Sequence, residues 1–349
     1  MRKQTKEIKI GNVYIGNNHP IAIQSMTNTK TKDIEKTVQQ IQELEALGCQ
    51  IIRVAVLDFQ DAIAIQEIKK HIGIPIVADI HFDYRLALAA AEAGVDKLRI
   101  NPGNIGSYDR TKEVVKICKE KKIPIRIGIN GGSLEPKLLI KYGGRTKEAL
   151  VESARRHIDI LHSLDFDDIV ISIKTTDIQD TIDANILASS TFPYPLHIGL
   201  TEAGSKTTGT IRSSYALGTL LNMGIGDTIR VSLTADPKEE IKAAKEILQM
   251  FNLFDKPQII SCPTCGRIEY DMFKVADEIE KYTEGMTKKM KIAIMGCVVN
   301  GPGEAKEADF GIAGGRDIVV YFEKGKVIKK IKPEEAIDVL KQAIDNFKD

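Results

Sequence analysis

A repeated alternation of short apolar segments and amphipathic segments restricts the folds open to this chain. Eight apolar segments have the length and composition of buried strands, and a helical segment follows each of them. Eight strand–helix repeats predict an α/β fold, namely a (β/α)8 TIM-type barrel. The predicted strands lie near Ile21–Gln24, Ile51–Val56, Pro75–Ala78, Lys97–Ile100, Pro124–Ile129, Asp168–Ile173, Pro195–Leu200 and Thr228–Leu233.

The alternation stops at residues 252–258, NLFDKPQ, which have the composition of a linker. Beyond it the sequence predicts a C-x-x-C turn, a helix, a strand, a glycine-rich loop, a hairpin turned at Lys324-Gly325 and a final helix from Pro333. This is enough for a second, smaller α/β domain. We expect the two domains to cover residues 1–252 and 258–349.

Charge and composition exclude several classes of protein. The 349 residues carry a net charge of +1, which gives no general reason to expect a nucleic acid or a membrane surface as partner. No apolar run approaches the ~20 residues of a membrane span. The first residues lack the apolar region of a signal peptide, so we expect a cytoplasmic protein. Five cysteines, an odd number, fit a reducing compartment without a disulfide framework.

Three of the cysteines fall in two short motifs. Cys262 and Cys265 form a C-x-x-C pair in CPTCGR, and Cys297 ends an apolar run in MGCVVNGPGE. A thiolate at a strand end facing a C-x-x-C turn is the layout of a metal site. The nearest oxygen ligand is Glu304. This set fits a [4Fe–4S] cluster with one labile ligand, and a structural zinc with three thiolates and one carboxylate is the alternative.

Several cations lie within or at the ends of the predicted strands. Arg53 in IIRVAV and Arg126 in IPIRIGI are costly to bury without a counter-charge. Arg99 and Lys174 lie at strand ends, where the active sites of this fold are found. Internal salt bridges are one explanation. Because four cations outnumber the nearby carboxylates, we expect an anionic ligand, and guanidinium groups suit phosphate oxygens.

Other polar residues occupy the same strand ends. His81 is interpreted as a hydrogen-bond donor to a phosphate or hydroxyl rather than a metal ligand. Glu202, a carboxylate among cations, is either a proton carrier or a structural counter-ion. Further candidates for substrate binding are Asn101, Asn130, Thr201 and Ser232.

The motifs CPTCGR and MGCVVNGPGEAKEADFG, behind an N-terminal barrel, resemble those of the hydroxymethylbutenyl diphosphate synthases. These are iron–sulfur reductases of the methylerythritol phosphate route to isoprenoids. The resemblance covers essentially the whole chain. It implies a substrate-binding barrel over 1–252 and a [4Fe–4S] domain over 258–349, with the cluster held by Cys262, Cys265, Cys297 and Glu304. On this interpretation Glu304 takes part in catalysis, because it gives way to a substrate oxygen.

The implied reaction is the reductive ring opening and dehydroxylation of 2-C-methyl-D-erythritol 2,4-cyclodiphosphate to 4-hydroxy-3-methylbut-2-enyl diphosphate. Glu202 matches the family's acidic residue beside the reacting carbons. No flavin or nicotinamide motif is visible, so we expect ferredoxin or flavodoxin as a separate electron donor. The family forms head-to-tail homodimers with shared active sites. The diphosphate contacts that the resemblance implies are Arg53, Arg99, Arg126, Asn130, Lys174 and Ser232.

Two other classes of function stay open on the sequence alone. One is a non-redox, phosphate-binding barrel enzyme of the pterin-synthase kind with a structural zinc domain. The other is a protein that presents a zinc module to RNA, although the balanced charge and the lack of interleaved aromatic residues count against it. The iron content of anaerobically purified protein separates both from the reductase.

Overall fold

The structure is a computed structural model that describes residues 2–263, 265–297, 305–315 and 317–348. The chain divides into two compact units, Met1–Leu253 and Phe254–Asp349. The division falls within the sequence segment that has the composition of a linker. None of the helices in the described ranges is long and apolar enough to cross a membrane.

The first unit is a barrel of parallel strands, each followed by at least one helix. Its strands are β3 (Ala22–Met26), β4 (Ile51–Ala55), β5 (Ile76–Asp79), β6 (Lys97–Arg99), β7 (Ile125–Asn130), β8 (Ile169–Lys174), β9 (His197–Ile198) and β10 (Thr228–Ile229). They form one sheet in the order β8-β7-β6-β5-β4-β3-β10-β9. A bridge between Ile171 and Leu196 brings the segment before β9 beside β8 and nearly closes the ring. The predicted (β/α)8 barrel is confirmed.

Side-chain caps fix where most of the barrel helices begin. The helices are α1 (Ile34–Ala46), α2 (Phe59–Ile68), α3 (Tyr84–Glu92), α4 (Tyr108–Lys121), α5 (Pro136–Tyr142), α6 (Lys147–Ser163), α7 (Ile178–Thr191), α8 (Lys206–Asn222) and α9 (Pro237–Gln249). Six of them start at a residue whose side chain accepts a first-turn N–H, namely Asp33, Asp58, Asp83, Thr146, Asp177 and Asp236. Each such cap contributes about 1 kcal/mol. The caps therefore hold the strand-to-helix loops at one end of the barrel.

An apolar plug closes the other end. Strands β1 (Ile8–Ile10) and β2 (Val13–Ile15) form an antiparallel hairpin. Its buried isoleucines pack against residues at the amino-terminal ends of the barrel strands, namely Ala22, Ile51, Val77 and Val170. Burying each isoleucine contributes about 1.5–3 kcal/mol. Polar side chains deeper in the barrel therefore face the open, carboxyl-terminal end.

The second unit is built on a five-stranded mixed sheet. Its strands are β11 (Gln258–Ser261), β12 (Lys291–Met295), β13 (Phe310–Gly314), β14 (Val319–Glu323) and β15 (Lys326–Ile331), in that order. The first three are parallel, and the last two form an antiparallel hairpin with β13. Helices α10 (Met272–Thr283) and α11 (Ala336–Asn346) contribute to an apolar core with the sheet. This matches the second α/β domain that the sequence predicts.

Candidate active site

A cleft of about 590 Å³ lies at the carboxyl-terminal end of the barrel strands. Six of the residues that the sequence predicts for the site line it: His81, Arg99, Asn101, Asn130, Thr201 and Glu202. Arg53, Arg126, Lys174 and Ser232 do not line this cleft. Arg126 and Lys174 are instead buried in the barrel wall, and Arg53 and Ser232 are half-buried. The predicted residues thus divide into a rim and an interior set.

The rim also includes residues that the sequence analysis missed. Thr175 and Thr176 directly follow β8, so their position after a strand could have identified them. Arg145 lies beyond α5, after Gly143-Gly144, and no strand pattern points to it. Further lining residues are Phe82, Asn104, Gly131, Gly132, Ser133, Asp177 and Asp180.

Asp79 organises the cations on one side of the barrel. Its carboxylate lies 2.6 Å from Nη2 of Arg53, 3.4 Å from Nη1 of Arg99 and 3.3 Å from Nε2 of His81. Burial alone would raise the pKa of Asp79. The hydrogen bond from His81 and the charges of the two arginines overcome burial and hold that pKa well below its usual range. Internal salt bridges, one of the two explanations that the sequence offered for the cations, therefore account for Arg53 and Arg99.

Other interior cations have no such partner. Six basic side chains lie on or directly after the barrel strands: Arg53, Lys97, Arg99, Arg126, Lys174 and Arg230. Among the described residues, Asp79 pairs with Arg53 and Arg99, and Glu240 pairs with Arg230, whereas Lys97, Arg126 and Lys174 have no carboxylate partner. Nε and Nη1 of Arg126 and Nζ of Lys97 are buried without a hydrogen-bond partner in the described part of the chain. Nζ of Lys174 lies 3.2 Å from Nε2 of the buried His197. Positive charge thus exceeds negative charge inside the barrel.

The pKa values of these groups are shifted by burial and by that excess. Burial first, and then the neighbouring cations, lower the pKa of Arg126, Lys97, Lys174 and His197 well below their ordinary values. An anion bound among them would oppose the second cause and favour the charged forms. The barrel interior therefore has the electrostatics of an anion site rather than of a satisfied salt-bridge network.

Two glycines leave the space that these cations occupy. A Cβ atom on Gly128 would lie 2.4 Å from Nε of Arg99, and one on Gly199 would lie 2.6 Å from Nζ of Lys174. The side chain of Asn101 accepts from the Gly128 N–H at 2.9 Å and donates to its carbonyl oxygen at 3.0 Å. Its amide is therefore engaged with the backbone, and Asn101 shapes the cleft.

Glu202 is an exposed carboxylate on the cleft wall. Its backbone has φ of 52°, in the left-handed region that residues other than glycine rarely adopt. Such a conformation costs about 1–3 kcal/mol and persists where the surrounding structure imposes it, often at functional sites. The loop after β9 thus holds Glu202 in a backbone conformation that a glutamate does not favour by itself.

Residues of the two cysteine motifs lie together at the carboxyl-terminal ends of two strands in the second unit's sheet. Ser261 of β11 is in register with Ile294 of β12, so Cys262 and Gly296 directly follow adjacent parallel strands at the same, carboxyl-terminal end. The Gly296 N–H donates to Sγ of Cys262 at 3.0 Å. A Cβ atom on Gly296 would lie 2.9 Å from Cγ1 of Ile268 and 3.3 Å from that sulfur. Hydrogen bonds to sulfur are among the interactions that tune an iron–sulfur cluster.

The five cysteines differ in exposure. Cys49 and Cys118 are buried, and burial raises the pKa of Cys49 to about 12 and also raises that of Cys118. Cys265 is exposed, and Cys262 and Cys297 are half-buried. Because the thiolate is the metal ligand, these three are the better ligands.

Three accessible thiols suit a soft metal centre, and two of them lie at the ends of adjacent strands. Within residues 2–263, 265–297, 305–315 and 317–348, no three His, Cys, Asp or Glu side chains are already grouped closely enough to hold a metal ion. Glu304 lies outside the described residues. The assignment of Cys262, Cys265, Cys297 and Glu304 as cluster ligands stays a prediction.

Comparison with known proteins identifies the family. Residues 5–245 match the GcpE TIM-barrel domain, and residues 258–346 match the GcpE protein C-terminal domain. A protein of Caldanaerobacter subterraneus subsp. tengcongensis named 4-hydroxy-3-methylbut-2-en-1-yl diphosphate synthase (flavodoxin) is 58% identical over 99% of this chain and 98% of its own length. The Clostridium perfringens protein of the same name is 56% identical over 99% of both. Yersinia pestis dihydropteroate synthase, 11% identical with a TM-score of 0.50 over 70% of this chain and 98% of its own, shares the fold alone. The matches to both domains, together with relatives similar over their full length, show that this chain belongs to the GcpE family.

Proposed function

We propose that this protein is an oxidoreductase that converts 2-C-methyl-D-erythritol 2,4-cyclodiphosphate into 4-hydroxy-3-methylbut-2-enyl diphosphate in isoprenoid biosynthesis. The reaction takes up two electrons and two protons, opens the cyclic diphosphate and releases one water. Two relatives that match 99% of the chain carry the name of the synthase of this product, with flavodoxin. Flavodoxin is accordingly the donor that we propose. The cytoplasm is the compartment, since its thiols stay reduced.

The observation that carries the proposal is the excess of buried cations in the barrel. A cyclic diphosphate brings two negatively charged phosphates, which supply the counter-charge that Arg126 and Lys174 lack. Arg53 and Arg99 are already oriented by Asp79 and can meet phosphate oxygens without losing that partner. Asn130 and Ser232 complete the proposed set of contacts. An alternative barrel enzyme of the pterin-synthase kind has no support beyond the shared fold.

Glu202 is the proton carrier in this proposal. It lies on the cleft wall with Thr201 and His81, and its exposure allows exchange of protons with solvent. A carboxylate beside the reacting carbons can deliver one of the two protons that the reaction consumes. His81, whose ring nitrogens lie 3.1 and 3.3 Å from Nη1 of Arg99 and whose Nε2 lies 3.3 Å from Asp79, is then a hydrogen-bonding residue at the rim.

Cys262, Cys265 and Cys297 would hold a [4Fe–4S] cluster, with Glu304 as the fourth ligand. When bound, the cluster supplies the one-electron transfers that amino-acid side chains do not perform. A carboxylate is a harder and weaker ligand for iron than a thiolate, which suits a position that must exchange. The chain's own contribution is to bind the diphosphate, to place the carboxylate and to shield the site. We further propose a homodimer with shared active sites.

Anaerobic purification tests the proposal. The protein should be brown and contain about four iron and four inorganic sulfide per chain. With reduced methyl viologen it should convert the cyclodiphosphate into the product, as detected by mass spectrometry. Cys297→Ser should lose iron and activity, whereas Cys118→Ser, which changes a buried cysteine outside the motifs, should keep both. Stoichiometric zinc in an active preparation without iron would overturn the proposal.

A further inference from the structure

The hairpin at the edge of the second unit carries a concentrated positive charge. Residues 324–332, KGKVIKKIK, hold five lysines and no acidic residue, although the chain as a whole carries a net charge of only +1. The strand within it, β15, is the last of its sheet, and its first five residues are exposed. We call residues 324–332 the lysine edge. Its charge is a local feature that the overall composition conceals.

No carboxylate among the described residues neutralises the lysines of this edge. In the described part of the chain none of the five forms an ion pair, and Lys306, also exposed, lies beside the turn, its Cγ 3.4 Å from where a Gly325 Cβ would be. Lys329 places its Nζ 5.7 Å from the centre of the Tyr321 ring. Val327 and Ile328 are 57% and 55% exposed between the lysines. An apolar centre with a charged rim is the composition of a docking surface.

The lysine edge lies in line with the cysteine motifs. In the register of the sheet, Met295 pairs with Ala313, Ala313 with Val320, and Val320 with Lys330. Strands β12 and β15 run in the same direction, so Cys297 and Lys332 both lie two residues further toward the same end of the sheet. Three strand spacings of about 4.8 Å separate the two strands by only about 14 Å. A protein docked on the lysine edge would therefore lie close to the strand ends that carry the thiols.

We propose that the lysine edge is the docking surface for the electron donor, a small acidic carrier of the flavodoxin type; this rests on the proposed function. Lysines on an edge strand also prevent sheets from pairing with one another. That role accounts for lysines within β15, whereas five lysines with no acidic residue among them also create a field that steers an acidic partner. Rim charges of this kind chiefly raise the rate of association and make it sensitive to salt.

Charge reversal tests the docking surface. Lys329→Glu combined with Lys330→Glu should weaken binding of oxidised flavodoxin in calorimetry at least tenfold, and should raise the KM for reduced flavodoxin by a similar factor. Iron content and turnover with reduced methyl viologen should not change. The matched control is Lys288→Glu with Lys289→Glu, two exposed lysines before β12 at the opposite end of the sheet. The control should bind flavodoxin as the wild type does.

The other outcomes count against the docking surface or against the proposed function. Unchanged flavodoxin binding by the reversed variant would overturn it, as would an equal loss in the control. A variant that binds flavodoxin normally but loses affinity for a DNA duplex, or no longer self-associates, would assign the surface to another partner. Turnover with viologen tests the proposed function separately, because that small reductant needs no docking surface. A wild-type protein inactive with viologen but still binding flavodoxin through these lysines would overturn the function and keep the surface.

Discussion

Two buried arginines in neighbouring strands differ in whether their charge is compensated. Arg99 and Arg126 are paired in the register of β6 and β7. Arg99 has Asp79 at 3.4 Å and the Gly128 carbonyl oxygen at 2.8 Å. Arg126 is 1% exposed, and two of its nitrogens have no partner among the described residues. The same side chain is therefore a structural element in one position and an uncompensated charge in the other.

This difference predicts opposite effects of removing the charge. Arg126→Met should raise the melting temperature or leave it unchanged, because it removes a buried charge whose neighbours are cations. It should also weaken binding of the cyclodiphosphate by about 2–5 kcal/mol. Arg99→Met is the control and should lower the melting temperature, because it leaves Asp79 with one partner fewer. Thermal unfolding and calorimetry measure both. A marked loss of stability in Arg126→Met with normal binding would show that Arg126 is structural.

The sequence allowed several interior cations to be predicted, because an arginine within an apolar strand is costly unless something binds it. Lys97 has the same signature, two residues before Arg99 and hence on the same side of β6, but it opens its strand and was missed. Asn101 was predicted as a substrate contact, yet its amide bonds to Gly128. A hydrogen bond between strands distant in sequence leaves no local pattern, so sequence reasoning could not find it.

At the scale of elements, the two parallel strands β11 and β12 bring the cysteine motifs together. Cys262 and Gly296, which are 34 positions apart in the sequence, are joined by a hydrogen bond from the Gly296 N–H to the Cys262 sulfur. The helix α10 between these strands forms the crossover that parallel pairing requires. Strand positions were predictable from apolar runs. The lengths of the strands were less predictable, since β9 and β10 each contain two residues where the sequence suggested about six.

The close approach at Gly296 predicts a specific defect. Gly296→Ala would place a methyl group 2.9 Å from Cγ1 of Ile268 and 3.3 Å from Sγ of Cys262, so Ile268 or the strand end must move and the sulfur is crowded. We expect anaerobically reconstituted protein to hold less than half the iron of the wild type, while the melting temperature of the barrel is unchanged. Gly266→Ala is the matched control in the neighbouring motif, because its added Cβ meets nothing within 4 Å. Equal iron contents in the two variants would show that this contact does not govern assembly.

At the scale of the whole molecule, the path of the chain through the barrel bears on how a complete site forms. Strand β10 points toward the open end, where Glu202 lies on the cleft wall. Helix α9 runs back along the barrel for 13 residues, about 20 Å, toward the end that the β1–β2 hairpin plugs. The chain thus leaves the first unit, at Leu253, opposite the mouth. This path favours the proposal that a second chain supplies the cysteine-bearing unit to each barrel.

Complementation between two inactive variants tests the shared site. A chain with Cys297→Ala keeps Glu202 in its barrel, and a chain with Glu202→Ala keeps Cys297 in its second unit. In a dimer of one copy of each, one shared site has both intact residues and the other has neither, so the mixed dimer should recover about half the wild-type activity. Each variant alone should stay inactive. Mixed dimers can be isolated with two different affinity tags, and iron content confirms that one unit per dimer is loaded. If mixed dimers form and hold iron but remain inactive, the shared-site proposal is wrong and each chain must complete its own site.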